Sequence, residues 1–152
     1  MGAEETRRFR ILVVDDNAAN AELLEAYLAG FAWDVETVNS GAAALERVGR
    51  EQPDIILLDI MMPDMSGYEV CRRLKSSAET RDVPIIMVTA LTQVEEVEEA
   101  VDAGTDDFLS KPVNRLELVT RVKSLLRLRH LKGELARTLA YLDEVEERGA
   151  GR

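Results

Sequence analysis

The sequence predicts an α/β domain, a parallel sheet covered by helices on both faces. Three observations carry that expectation. Short β-branched or wholly apolar runs alternate five times with stretches whose apolar residues fall at helical spacing. Two of the runs, residues 55–58 and 85–88, contain nothing polar, as strands buried on both faces do. No linker-like stretch and no internal repeat divides the 152 residues, which make about one domain's length.

In chain order, Arg10-Ile-Leu-Val-Val14 is a strand candidate that stops at the pair Asp15-Asp16. Residues 17–28 place Leu23, Leu24, Tyr27 and Leu28 at helical spacing, and Gly30 closes that helix. Residues 33–38 alternate as a strand does. Ser40 suits the N-cap of a helix over 41–50 that buries Ala44, Leu45 and Val48. The apolar strand at 55–58 again ends at an aspartate, Asp59. Ser66 opens a helix with Tyr68, Cys71 and Leu74 toward the core, and the strand at 85–88 ends at Thr89. Residues 93–103 form a helix with Val94, Val97 and Val101 on one side. Glu95, Glu96, Glu98, Glu99 and Asp102 occupy its other side, and Gly104 caps it. Phe108 and Leu109 make a brief strand running into Lys111-Pro112, and Asn114 with Glu117 has the spacing of a capping pair for the last helix.

That last helix is unusually long. Helical to Glu147, it extends ~50 Å at 1.5 Å per residue, beyond the ~17–20 Å of a strand it might cover. Leu128, Leu131, Leu135, Leu142 and Val145 follow a 3–4 spacing, with Thr138 and Leu139 blurring the middle. An apolar stripe of this kind needs a partner, so an exposed seam is expected. Gly133 costs ~1 kcal/mol in a helix and is a candidate break. Arg115, Arg121, Lys123, Arg127, Arg129 and Lys132 crowd the first part, and the polar, Gly-rich tail from Glu146 is expected to fray.

Composition excludes several functions. Acidic residues number 29 against 19 basic, a formal charge of −10, which disfavours a grip on a nucleic-acid backbone. No apolar run approaches the ~18–20 residues of a membrane span. Cys71 is the only cysteine and His130 the only histidine, so an internal disulfide and a Cys/His zinc site within one chain are both excluded. Residues 1–10 carry no hydrophobic stretch, and with one cysteine the expected setting is a reducing cytoplasm. Cys71 reads as a small buried apolar residue, and His130 as an exposed one beside solvent-facing Arg129 and Lys132.

In a doubly wound sheet, functional groups collect beyond the carboxyl ends of the strands. Four strands here end in Asp15-Asp16, Asp59, Thr89 and Lys111, so one rim gathers carboxylates, a hydroxyl and an ammonium. Aspartates packed together repel unless a cation neutralises them. A few hard carboxylate oxygens, with water completing the shell, suit Mg²⁺. A lysine facing that cluster suits an incoming phosphoryl oxygen.

The motifs at this rim are Val-Val-Asp-Asp-Asn at 13–17, Leu-Leu-Asp-Ile-Met-Met-Pro-Asp-Met-Ser-Gly at 57–67, Val-Thr-Ala at 88–90 and Phe-Leu-Ser-Lys-Pro at 108–112. Together, in this order and at this spacing, they resemble the receiver domains of bacterial two-component response regulators. The likeness runs from about Phe9 to Leu126. It implies a flavodoxin-like sheet of strand order 2-1-3-4-5, with a receiver over residues 9–127 and a helical dimerisation or signalling extension over 128–152. It also implies phosphorylation-dependent signalling. Asp59 would accept a phosphoryl group from a phosphohistidine on a sensor histidine kinase or histidine phosphotransfer protein. Asp16, Asp59 and the main-chain carbonyl of Met61 would bind Mg²⁺, with Asp15 acting through water. Lys111 would neutralise charge on the transferring group. Thr89 and Phe108 would form the switch, and the Lys111-Pro112 bond would be cis. The surface around the fourth helix and last strand would then change, read by a downstream output domain or protein. A homodimer would form through that surface and the long helix. Such a protein modifies itself and turns over no external substrate.

Two positions depart from fast-hydrolysing members of that family, which carry polar side chains at the places held here by Met61 and Leu91. Slow self-dephosphorylation is therefore expected. Phe108 lacks a tyrosine's hydroxyl, so its switching rests on packing. Two other classes fit less well. A flavodoxin-like cofactor carrier needs Gly-, Ser- or Thr-rich phosphate loops where Asp15-Asp16-Asn17 stands, and an aspartyl phosphohydrolase needs a cap domain for which this chain has no residues.

Overall fold

A computed structural model describes residues 8–90 and 94–150. Five strands alternate with five helices: β1 (Phe9–Val14), α1 (Ala18–Leu28), β2 (Trp33–Val38), α2 (Gly41–Arg50), β3 (Ile55–Asp59), α3 (Gly67–Ser76), β4 (Ile85–Thr89), α4 (Val94–Asp102), β5 (Asp107–Ser110) and α5 (Arg115–Ala150). All pairings are parallel, in the order β2-β1-β3-β4-β5. Gln93, the expected first residue of α4, lies outside the described residues, as does Leu91.

Period-two alternation sends successive side chains of each strand to opposite faces. Leu12, Val14, Ile56, Leu58, Ile85 and Met87 meet α2, α3 and α4 on one face. Ile11, Val13, Ile55, Leu57, Ile86 and Val88 meet α1 and α5 on the other. Because both faces are covered, β3 and β4 are buried along their whole lengths. Side chains cap four helices: Asn17 accepts from Asn20 N at 3.0 Å, Ser40 from Ala43 N at 3.1 Å, Ser66 from Glu69 N at 3.3 Å and Asn114 from Glu117 N at 3.0 Å. Each such cap contributes about 1 kcal/mol. Gly104 ends α4 in the left-handed region, with φ +94°, where any side chain would be strained.

Four features differ from the sequence reading. In α1, Leu24 and Leu28 are buried but Leu23 is 45% exposed, because the helix presents Ala21, Leu24 and Leu28 to the sheet. In α4 the valine side faces outward, with Val94 and Val101 well exposed, and the helix seats on its neighbours through Ala100 and on Ala103 just beyond its end. Apolar spacing alone does not distinguish a seat of small alanines from a stripe of valines. Gly133 does not break α5, which continues to Ala150, three residues past the expected end. Its flanks are strong helix formers, which offset one glycine. Finally, Arg129 is not a solvent group. Its Nη1 donates to the carbonyls of Pro53 at 2.9 Å and Asp54 at 3.0 Å, tying α5 to the segment entering β3. His130 is exposed and pairs with Glu134 at 3.1 Å.

Candidate functional site

The strand register assembles the site. Val14 lies opposite Leu58, so Asp15 and Asp59, one residue further along β1 and β3, stand side by side. Asp59 lies opposite Val88 and Thr89 opposite Ser110, which brings Thr89 and Lys111 to the same rim. The amide of Lys111 donates to Thr89 O at 2.8 Å and extends that register by one step.

Asp15, Asp16 and Asp59 each offer a carboxylate oxygen, and the three lie within 4.8 Å of one another. Asp15 and Asp59 are buried, at 2% and 5% exposure, whereas Asp16 faces solvent. One carboxylate oxygen of Asp15 accepts from Asn17 N at 2.9 Å, which fixes its orientation. Lys111 Nζ stands 3.5 Å from Asp15 Oδ2 and 3.4 Å from Asp59 Oδ1. Those distances are long for hydrogen bonds, so the lysine acts mainly as a point charge shared between two acids. Burial and the neighbouring Asp15 charge raise the Asp59 pKa above the ordinary carboxylate value, and Lys111 offsets part of that rise.

The β3–α3 loop folds back over Asp59. Gly67 N donates to Ile60 O at 2.9 Å, and a Cβ on Gly67 would lie 2.3 Å from the Asp59 carbonyl oxygen and 2.8 Å from Ile60 Cα. Only glycine permits this approach. Asp64, in the same loop, holds φ at +67°. Gly67 thus positions the loop that carries Met61 against the end of β3 at Asp59, a role visible only once the backbone path is known. Met61 itself is 73% exposed beside the rim.

Thr89 is fully buried, and Phe108 is half-buried on β5 opposite Met87, packed on the α2–α4 side of the sheet. The Lys111-Pro112 bond is cis, as the resemblance implied. Next to Lys111, Asn20 and Leu23 of α1 face Pro112 and Val113 across an open, largely apolar cleft. All the expected rim residues, Asp15, Asp16, Asp59, Thr89 and Lys111, therefore come together.

A 2-1-3-4-5 parallel sheet with this acidic rim defines a flavodoxin-like α/β protein of the receiver type. Residues 11–123 match the response regulator receiver domain family, and the chain belongs to it. Among relatives, it is 45% identical over 126 residues to response regulator PleD of Caulobacter vibrioides, covering 83% of this chain and 28% of PleD. It is 42% identical over 139 residues to the DNA-binding response regulator MtrA of Mycobacterium tuberculosis, covering 91% of this chain and 59% of MtrA. The chain thus spans less than two thirds of these curated relatives. Among solved structures, the signal receiver domain of a signal transduction histidine kinase from Syntrophus aciditrophicus superposes with a TM-score of 0.75 at 35% identity, covering 78% of this chain and 90% of that one. Among the described residues no helix is long and apolar enough to cross a membrane.

Proposed function

We propose that the protein is a phosphorylation-dependent signalling switch of a two-component system, in which Asp59 accepts a phosphoryl group with the help of Mg²⁺. The observation that carries this is the convergence of three carboxylates within 4.8 Å with Lys111 Nζ 3.4 Å from Asp59. The donor set fits the ion. Oxygens around an octahedral Mg²⁺ at ~2.1 Å lie roughly 3–4 Å apart, and hard carboxylates are its preferred ligands. Asp16, Asp59 and the Met61 carbonyl would hold it, with Asp15 joined through water. Bound there, the ion supplies charge neutralisation and orientation for phosphoryl oxygens.

The chain's own groups then act as follows. An Asp59 carboxylate oxygen attacks phosphorus in line. The new P–O bond forms as the P–N bond to the donor imidazole breaks, and that imidazole leaves with a proton. Lys111 faces charge on the transferring oxygens. The depth of the site excludes most water from Asp59, which strengthens both interactions. Thr89, buried one strand away, donates its hydroxyl to the new phosphoryl oxygen, and Phe108 repacks as Thr89 shifts. The report emerges on α4 and β5, where Val94, Val97 and Val101 already face outward. The cleft between α1 and the β5–α5 loop, next to Lys111, is a docking place for a sensor histidine kinase or histidine phosphotransfer protein in the cytoplasm. Residues 9–127 form the receiver, and 128–152 a dimerisation or signalling helix that joins two copies and leads to an output domain or protein. The only reaction catalysed is the protein's own phosphorylation and dephosphorylation.

Intact mass spectrometry after incubation with acetyl phosphate and Mg²⁺ tests the reading. One added phosphoryl group is expected in the natural chain and none in Asp59→Asn. Equal labelling of both would overturn it.

A further inference from the structure

The face that α5 offers changes along its length. Leu118, Val122 and Leu126 are buried against the sheet at four-residue spacing. Beyond them that face continues with Arg129, held on the Pro53 and Asp54 carbonyls, and then with Gly133 and Arg137. From Leu128 the apolar residues stand roughly half a turn round, since two residues advance a helix by about 200° at 3.6 residues per turn. Leu128, Leu131, Leu135, Leu139, Leu142 and Val145 are each between 45% and 58% exposed. The stripe thus points away from its own domain. Because the helix is unbroken to Ala150, it has no hinge by which to fold back.

Charge along α5 is polarised. Its first half carries Arg115, Arg121, Lys123, Arg127, Arg129 and Lys132 against Glu117, while its second half carries Glu134, Asp143, Glu144, Glu146 and Glu147 against Arg137 and Arg148. Two copies laid parallel and in register would set Arg127 of one beside Lys132 of the other, basic half on basic half and acidic half on acidic half. The helices of such a pair lie 8–10 Å apart, about one Debye length at physiological salt, so this repulsion is only partly screened.

We propose that the α5 helices of two copies pair antiparallel, basic half on acidic half, with Leu128 opposite the second copy's Val145 and Leu131 opposite the second copy's Leu142. Leu135 then meets the second copy's Thr138. These three layers keep the 3–4 spacing from end to end, and two-fold symmetry generates each of them twice. The same register places Lys132 beside the second copy's Asp143 and Arg127 beside the second copy's Arg148, each twice, so the net attraction comes from Asp143, Glu144, Glu146 and Glu147 lying along the basic half. The receivers sit at opposite ends of the seam, each with its α4–β5 face free. This rests on the self-association proposed above and places it on the long helix alone, without the α4–β5 surface that the resemblance implied would share in it.

Cysteine crosslinking of the full chain tests the orientation. Native Cys71 stays silent, because it is buried, its Sγ lies 3.2 Å from Ala103 O and burial pushes its thiol pKa up to about 11. In a glutathione redox buffer, a mixture of Leu131→Cys and Leu142→Cys chains is expected to form a disulfide-linked heterodimer. The rate should be at least about tenfold that of either variant alone, a factor equivalent to about 1.4 kcal/mol. Each variant crosslinking efficiently with itself would overturn the antiparallel arrangement while leaving the dimer standing. Sedimentation of the natural chain as a monomer at all concentrations would overturn both. Charge exchange gives a second readout that needs no cysteine. Lys132→Glu and Asp143→Lys should each weaken the dimer, and the double variant should restore it. Failure of restoration in a folded double variant counts against the pairing.

Discussion

Replacing Gly67 by alanine perturbs the site through geometry alone. The new methyl carbon would sit 2.3 Å from the carbonyl oxygen of Asp59 and 2.8 Å from Ile60 Cα. An ordinary carbon–oxygen contact is ~3.3 Å, so the two backbones must separate by about 1 Å. The obstacle is main chain rather than a mobile side-chain tip. The cost therefore lies at the upper end of overpacking penalties, about 3 kcal/mol. For a chain of this size that lowers the melting temperature by about 10 °C. The same displacement falls on Asp59, the nucleophile of the proposed function, and a 1 Å misplacement there would cost about 100-fold in rate. Scanning calorimetry reads the first effect and the time course of phosphoryl incorporation reads the second. Gly49→Ala is the control, because nothing lies within 4 Å of a Cβ at that helical position. It should leave the rate unchanged and add about 0.5–1 kcal/mol of stability. If Gly67→Ala melts within ~2 °C of the natural chain and is phosphorylated at the same rate, the account of the loop is wrong.

Other perturbations have equally definite outcomes. Burial and the Asp15 charge raise the Asp59 pKa from its ordinary 3.8, so the folded state holds that proton more tightly than the unfolded chain does. Stability therefore falls as pH rises from the unfolded carboxylate range through the raised folded pKa. In metal-free buffer Asp59→Asn should melt above the natural chain at neutral pH, and the two should converge in acid; a gap independent of pH refutes this. Met61→Asn combined with Leu91→Glu should speed loss of phosphate from Asp59 by about tenfold or more, a barrier change of about 1.4 kcal/mol, measured as decay of the phosphorylated mass. An unchanged lifetime refutes the role given to these apolar positions. Arg129→Ala removes two charge-assisted hydrogen bonds to half-buried carbonyls and should cost about 1–2 kcal/mol in urea unfolding. A change below ~0.5 kcal/mol would mean that Arg129 does not anchor α5.

Most of the fold is legible in the chain because the strands are short and extreme. The residues of β3 and β4 up to Leu58 and Val88 are apolar throughout, and each strand ends abruptly in a polar residue that proves to line the rim. The site is legible for the same reason, since parallel strands bring their carboxyl ends to one edge whatever lies between them. What escapes sequence reading depends on contacts between distant segments. Gly67 stands in a recognisable motif, but nothing in the order of residues says that Asp59's own backbone occupies the space a side chain would need. Arg129 resembles the other basic residues around it until the Pro53 and Asp54 carbonyls are seen beneath it. In α4 the valine spacing is truly helical, yet alanines make the seat and valines remain outside, because periodicity marks an apolar side without naming its neighbour. The exposed stripe of α5 was foreseeable by length, since the helix outruns the sheet that could cover it.

In the proposed function a divalent cation held by Asp16, Asp59 and the Met61 carbonyl, with Asp15 joined through water, enables Asp59 to take a phosphoryl group. Phosphoryl incorporation measured against Mg²⁺ concentration, in the natural chain and in Asp16→Asn, addresses this claim most directly. Saturable dependence on Mg²⁺ is expected, abolished by EDTA and displaced to higher concentration in Asp16→Asn. Undiminished incorporation in EDTA, or superposable curves for the two proteins, would contradict it.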